Sequence, residues 1–238
     1  MKINLLLLFL FPSIINFSFD KQNINEKNSN PPENSVAIVK KVHKDVNYRK
    51  STQTDWEKAA LGMILYNGNE IKTGVKSLAL IYFTDSAGLL RVRENSILHI
   101  YGEKKENNLN KNAFLQKGLI GFDVRKQSED EEFKFTTPTV VASIRGTSGY
   151  VEYAEDSTFT MSLDTGTALL NFLGPQGGEG TLSGGNTVVI TSDGNFDFHE
   201  QTDKEKNKSE QTKRTNVKKL IIRTNQGDVE IEYYAPEE

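Results

Sequence analysis

Apolar and polar positions in this chain alternate over short stretches, which predicts strands rather than amphipathic helices. The clearest strand is Leu78–Phe83, where Leu78, Leu80 and Tyr82 point one way and Ala79, Ile81 and Phe83 the other. Being apolar on both faces, it is expected to be central and fully buried. Turn residues Thr84 to Gly88 then lead into Leu89–Arg93, a β-hairpin, and Ile97–Tyr101 adds a further strand. Ile120, Phe122 and Val124 alternate within Leu119–Val124, and β-branched and aromatic residues recur at 139–141, 151–153, 159–163, 168–172 and 188–191. Residues 103–112 are charged and Asn-rich and are expected to form a surface loop.

Many short strands with Gly-bearing turns predict an all-β domain: a sandwich, or a roll or solenoid. It should start near Val36, at the first β-branched cluster, and run to residue 199. Residues 200–216 are polar and charge-rich and are expected to be a linker. Residues 217–224 and 229–234 flank Asn225-Gln226-Gly227-Asp228, which predicts a C-terminal hairpin over 217–238.

The N-terminus changes the picture from a plain globular domain to an exported one. Lys2 precedes an apolar run from Leu5 to Phe11, the layout of a signal peptide over residues 1–18. Ser18 suits a cleavage site, whereas Asn16 departs from the small residue usual two positions earlier. Residues 19–35 are almost wholly polar and are expected to be a disordered tether. Once the leader is removed, no later segment is long and apolar enough to span a bilayer as a helix.

Composition narrows the chemistry. The formal net charge is -3 over 238 residues with both signs interspersed, so no field favours nucleic acid. The absence of cysteine excludes disulfides, thiolate nucleophiles and Cys-ligated zinc. His43, His99 and His199 lie far apart and offer no metal-ligand spacing. Lys72-Thr73-Gly74 has no partner motifs of a serine penicillin-binding enzyme, and the Gly174–Gly180 run lacks the lysine and helix of a phosphate loop. Asp193, Asn195 and Asp197 alternate as calcium ligands would, but Phe198 and Lys204 stand where that loop needs glycine and glutamate. The expectation is no enzyme, no cofactor and no metal.

Three segments carry a resemblance. The first runs from Leu61-Gly62 through Asn67-Gly68-Asn69-Glu70-Ile71-Lys72-Thr73-Gly74 to Phe83-Thr84-Asp85, and the second is Gly118–Val124. The third is Phe135-Thr136-Thr137-Pro138 through Ser143-Ile144-Arg145-Gly146-Thr147. Together they resemble the FecR domain family of periplasmic regulatory proteins. The resemblance implies a stand-alone exported form: a binding or regulatory module in the periplasm or at the cell surface, with an unidentified envelope protein or glycan as partner. Regulatory members carry a cytoplasmic sigma-factor-binding segment ahead of a membrane span. Here only Met1 to Asn4 precede the apolar run, so direct sigma-factor binding is not expected. A surface adhesive protein and a carbohydrate-active β-solenoid are the alternative readings.

The signature residues Gly62, Gly68, Thr73, Gly74, Gly118, Thr137, Pro138, Arg145, Gly146 and Thr147 are expected to be structural. Thr137-Pro138 sets an extended entry to a strand, Gly146 permits a bend, and Arg145 is placed in a buried, hydrogen-bonded corner.

Overall fold

The computed structural model describes residues 32–105, 108–126, 131–174 and 177–235. The expected signal peptide, and the tether up to residue 31, lie outside the described residues. The described residues form seventeen strands and one helix. The first eight strands are β1 (Ser35–His43), β2 (Val46–Arg49), β3 (Glu57–Lys58), β4 (Ile64–Tyr66), β5 (Asn69–Thr73), β6 (Leu78–Phe83), β7 (Gly88–Val92) and β8 (Ile97–Lys105). Then come β9 (Asn108–Val124), β10 (Phe133–Thr136), β11 (Val140–Tyr153), β12 (Phe159–Phe172), β13 (Glu179–Ser183), β14 (Asn186–Ile190) and β15 (Phe196–Glu200). The chain ends with α1 (Asp203–Lys213), β16 (Asn216–Thr224) and β17 (Gly227–Ala235).

The fold is all-β. Strands β1 to β15 form one branched, mostly antiparallel sheet that does not close into a barrel. Its long strands change partners along their length: the first part of β9 pairs with β8 and β10, and the last part with β7 and β11. The β9–β10 pairing is parallel. Such switches fold the sheet over one core that includes Val39, Ile81, Leu90, Ile120, Val151, Met161 and Val188. Phe83, Phe133, Phe135 and Phe122 form its aromatic centre, with successive ring centroids 5.0, 5.4 and 4.7 Å apart.

Strand β6 is central, between β1 and β7, but Tyr82 on it is 37% exposed, so one face is only partly covered. Of the stretch 103–112, expected as a loop, residues 103–105 and 108–112 are instead ladder: β8 and β9 remain paired out to Lys105 and Asn108. Glu103 and Lys104, whose charges suggested a loop, are exposed, whereas Lys111 turns inward, where Asp85 and the Leu109 carbonyl receive its ammonium. Arg145-Gly146 does not end a strand either; β11 continues through it, with a register shift against β12 between Arg145 and Ser148. Gly146, at φ +64°, supplies the irregularity.

The polar segment 200–216 is not a linker. It forms α1, started by a capping box in which the Thr202 hydroxyl accepts from the Glu205 amide and the Glu205 carboxylate accepts from the Thr202 amide. The helix docks through hydroxyls: Ser209 donates to Asp164 at 2.7 Å, and Thr212 lies against Gly121. Gln201, just before it, is buried and donates to Ser162 and Asp164 at 2.8 and 3.2 Å. Beyond α1, β16 and β17 form a separate two-stranded ribbon.

Candidate functional site

The described surface offers a cleft of about 400 Å³ where the β7–β8 turn, the Lys117–Leu119 part of β9, the end of β11, α1 and the ribbon base converge. Of the signature residues, Gly118 lines it, and Thr73 and Gly74 brace the β7–β8 turn from behind. The Thr73 hydroxyl donates to the Arg93 carbonyl at 2.5 Å and accepts from the Ser96 amide at 3.0 Å, fixing the turn. The Gly74 carbonyl accepts from the Asn95 amide at 3.2 Å. Gly118 has φ +106°, and a Cβ there would lie 2.2 Å from Ser96 Oγ, so only glycine fits.

Two ion pairs lie in the cleft. Lys208 meets Glu152 at 2.5 Å, and Lys117 meets Glu155 at 3.2 Å. Arg93 donates to the Arg214 carbonyl at 2.9 Å and lies 4.2 Å over the Tyr234 ring, clamping the ribbon base to the sheet. Burial draws the Arg93 pKa down and pushes that of the Tyr234 phenol up, as expected of groups removed from water. The geometry suits holding two surfaces together.

The remaining signature residues lie elsewhere and shape turns. Gly62 and Gly68 take φ of +81° and +79° and donate to the carbonyls of Val39 and Ile100. The buried Thr137 hydroxyl accepts from the Val140 amide at 3.0 Å beside an exposed Pro138, and the buried Thr147 hydroxyl donates to the Thr167 carbonyl at 3.1 Å. Arg145 is exposed, opposite Thr167 in the ladder, so the buried corner expected for it is not found. A side chain on the outer face of a strand reaches water directly, and the apolar neighbours that suggested burial alternate to the inner face.

The histidines are also separate. His43 packs edge-on to Tyr234 with centroids 6.0 Å apart, His99 contacts Gln116 at 3.1 Å, and His199 contacts Glu205 at 3.0 Å. Among the described residues, no group of three or more metal-ligating side chains comes together.

The most unusual surface is the ribbon itself. Its register places Lys219, Ile221, Arg223, Asp228, Glu230 and Glu232 on one face, and Lys218, Leu220, Ile222, Val229, Ile231 and Tyr233 on the other. The first face bends back to the sheet at its base, where Glu232 pairs with Lys44 and the Tyr234 hydroxyl donates to the Lys76 carbonyl. Beyond the base both faces stand in water: Ile221 on the first is 57% exposed, and the five large apolar side chains of the second are each 42–50% exposed. Alternation at 218–222 and 229–233 gave the strands from sequence. It carried no sign that this face lacks a cover.

Residues 69–169 match the family described as FecR protein. Two crystal structures of a candidate anti-sigma factor from Parabacteroides distasonis ATCC 8503, at 2.50 and 1.65 Å resolution, resemble this chain with a TM-score of 0.51. The likeness covers 65% of this chain and 68% of theirs at 15% identity, and it is therefore one of fold. No curated protein matches. The β7–β8 turn, Gly118 and the Arg145–Thr147 irregularity all fall inside the matched span, so this part of the cleft belongs to the region that is similar to FecR protein.

Proposed function

We propose that the chain is an exported, non-enzymatic regulatory module of the cell envelope that works by binding another macromolecule through its terminal ribbon. The observation that carries this reading is the apolar face of β16 and β17. Soluble proteins seldom leave contiguous apolar patches of more than a few hundred Å² open to water, and those that do usually use them for contact. A ribbon clamped at its base by Arg93, Tyr234 and the Lys44–Glu232 pair leaves that face exposed. The leader-like run Leu5–Phe11 supports export, and the similarity to FecR protein supports a regulatory role.

Replacing Tyr233 with the photo-crosslinking residue p-benzoylphenylalanine tests both halves in living cells. The chain should be recovered outside the cytoplasm with a new N-terminus near residue 19, and illumination should yield a discrete adduct. The same probe at Ile221, on the opposite face, should yield much less. Retention of Met1 in the cytoplasm, or equal absence of adducts from both positions, would sink the proposal.

A further inference from the structure

We propose that the outer face of the sheet carries a binding groove for a short, neutral oligosaccharide, running across the strands from Tyr82 through Asp123 to Thr165. The groove has a volume of about 410 Å³, a size usual for small-ligand sites, and shares no residue with the terminal ribbon.

Strand register builds it. Tyr82 on β6 stands opposite Leu89 on β7, Leu89 opposite Asp123 on β9, Asp123 opposite Ser148 on β11, and Ser148 opposite Thr165 on β12. Neighbouring strands lie about 4.8 Å apart, so this row crosses roughly 19 Å of sheet. All five face away from the core, in which the adjacent Ile81, Leu90, Phe122 and Leu163 are buried. Along one side the next row is covered: Thr212 of α1 lies against Gly121, and Tyr150 and Ser162 beyond it are buried. Along the other, Gly146 and Thr147 line the groove where β11 shifts register against β12.

The chemistry of the lining matches a sugar. Its apolar end is Tyr82, 37% exposed, with Leu89 beside it, a surface that suits the C–H face of a pyranose ring. Its polar end is Asp123, Ser148 and Thr165. The Arg91 side chain, nine-tenths buried, donates to Asp123 Oδ2 at 2.5 Å and fixes the carboxylate, whose second oxygen has no partner among the described residues. That oxygen can accept from a hydroxyl. The Ser148 and Thr165 hydroxyls, 2.8 Å apart, keep acceptor lone pairs and one spare proton between them. A sugar presents hydroxyls that both donate and accept around an apolar ring, and the groove answers each of these.

Other ligand classes fit worse. An extended peptide binds a sheet through backbone bonds at an open edge, whereas β6, β7, β9 and β11 are paired on both sides here and offer only side chains. An anionic ligand would face the Asp123 carboxylate, and a cationic one would have to displace Arg91 from it.

Nuclear magnetic resonance titration of the isotope-labelled full chain after leader removal tests the site, with cellotetraose, maltotetraose and tetra-N-acetylchitotetraose as probes. At least one should bind saturably with a Kd below about 1 mM and shift the Tyr82, Asp123 and Ser148 signals. Tyr82→Ala should weaken that binding about tenfold, and Ser148→Ala, which removes one hydroxyl and no packing, about threefold. Tyr233→Ala on the ribbon should leave it unchanged. Saturation by none of the three, or binding that Tyr82→Ala and Ser148→Ala both leave intact, overturns the groove. Preference for a heparin tetrasaccharide over all three overturns the neutral ligand. Each of these results is independent of crosslinking at Tyr233, so the groove and the ribbon stand or fall separately.

Discussion

At the scale of single residues, the two cations the fold treats most differently are Lys111 and Arg145. The Lys111 side chain is fully buried and meets Asp85, which keeps some access to water, whereas Arg145 stands exposed on β11. Removing one partner of a buried pair leaves the other charge uncompensated, and the penalty falls on whichever group cannot reach solvent. Asp85→Ala should therefore cost about 3 kcal/mol, while Lys111→Met should cost less than about 1 kcal/mol, because Asp85 can rehydrate. Urea denaturation of both variants checks the asymmetry; equal losses would show that Asp85 is as isolated as Lys111. Arg145→Ala, an exposed change, should shift stability by less than about 0.5 kcal/mol on the same assay. The sequence placed Arg145 inside because apolar neighbours surround it. It could not show which pleat face each occupies across a register shift at Gly146.

At the scale of elements, the helix was the part least visible beforehand. Strands announce themselves by alternation, and β6, β7 and the terminal hairpin were legible for that reason. Helix α1 has no apolar stripe; the residues it buries are Ser209 and Thr212. Its one local signal was Thr202 followed three residues later by Glu205, a capping pair that the surrounding polarity obscured. Thr202→Ala should thus cost about 1 kcal/mol, read from the thermal midpoint. The same cap is tied to β15 through His199. Its hydrogen bond to Glu205 raises the His199 pKa above its ordinary 6.5. Burial pushes Glu205 up, but the Thr202 amide and His199 outweigh it and leave its pKa below the ordinary 4.5. The histidine contribution is complete below pH 6.5 and is lost as pH rises through its raised value. The carboxylate contribution is complete above 4.5 and is lost as pH falls through its lowered value. The His199–Glu205 tie is therefore firmest between about 4.5 and 6.5. His43, lowered chiefly by burial, acts in the opposite sense as pH rises. The difference between the native chain and His199→Gln isolates the tie: it should shrink from pH 6 to pH 8.5, and a constant difference would disprove the link.

At the scale of the whole molecule, the all-β class follows from composition and alternation, whereas the way β9 and β11 divide themselves between partners does not. A strand's own residues report which face is buried, not which neighbour buries it. The same limit hid the relation of the C-terminal region to the sheet. Residues 201–213 fill a place on the sheet through Gln201 to Ser162, Ser209 to Asp164 and Thr212 against Gly121. The ribbon beyond Thr215 is held mainly at its base and leaves its apolar face open. A chain ending at Thr215 should therefore remain folded, losing about 1 kcal/mol with the Arg93–Tyr234 stack. A chain ending at Glu200 should lose about 3 kcal/mol more, since several buried polar groups on the sheet would surrender hydrogen-bond partners worth roughly 1 kcal/mol each. For a domain of this size that corresponds to a midpoint roughly 6 to 12 °C lower, visible by circular dichroism. If both chains melted together near the native midpoint, the helix would be an ornament on a self-sufficient sheet. If both collapsed, the ribbon base would be part of the core. Separation of the two midpoints is what the contacts require, because the helix satisfies buried groups of the sheet while the ribbon reaches beyond it.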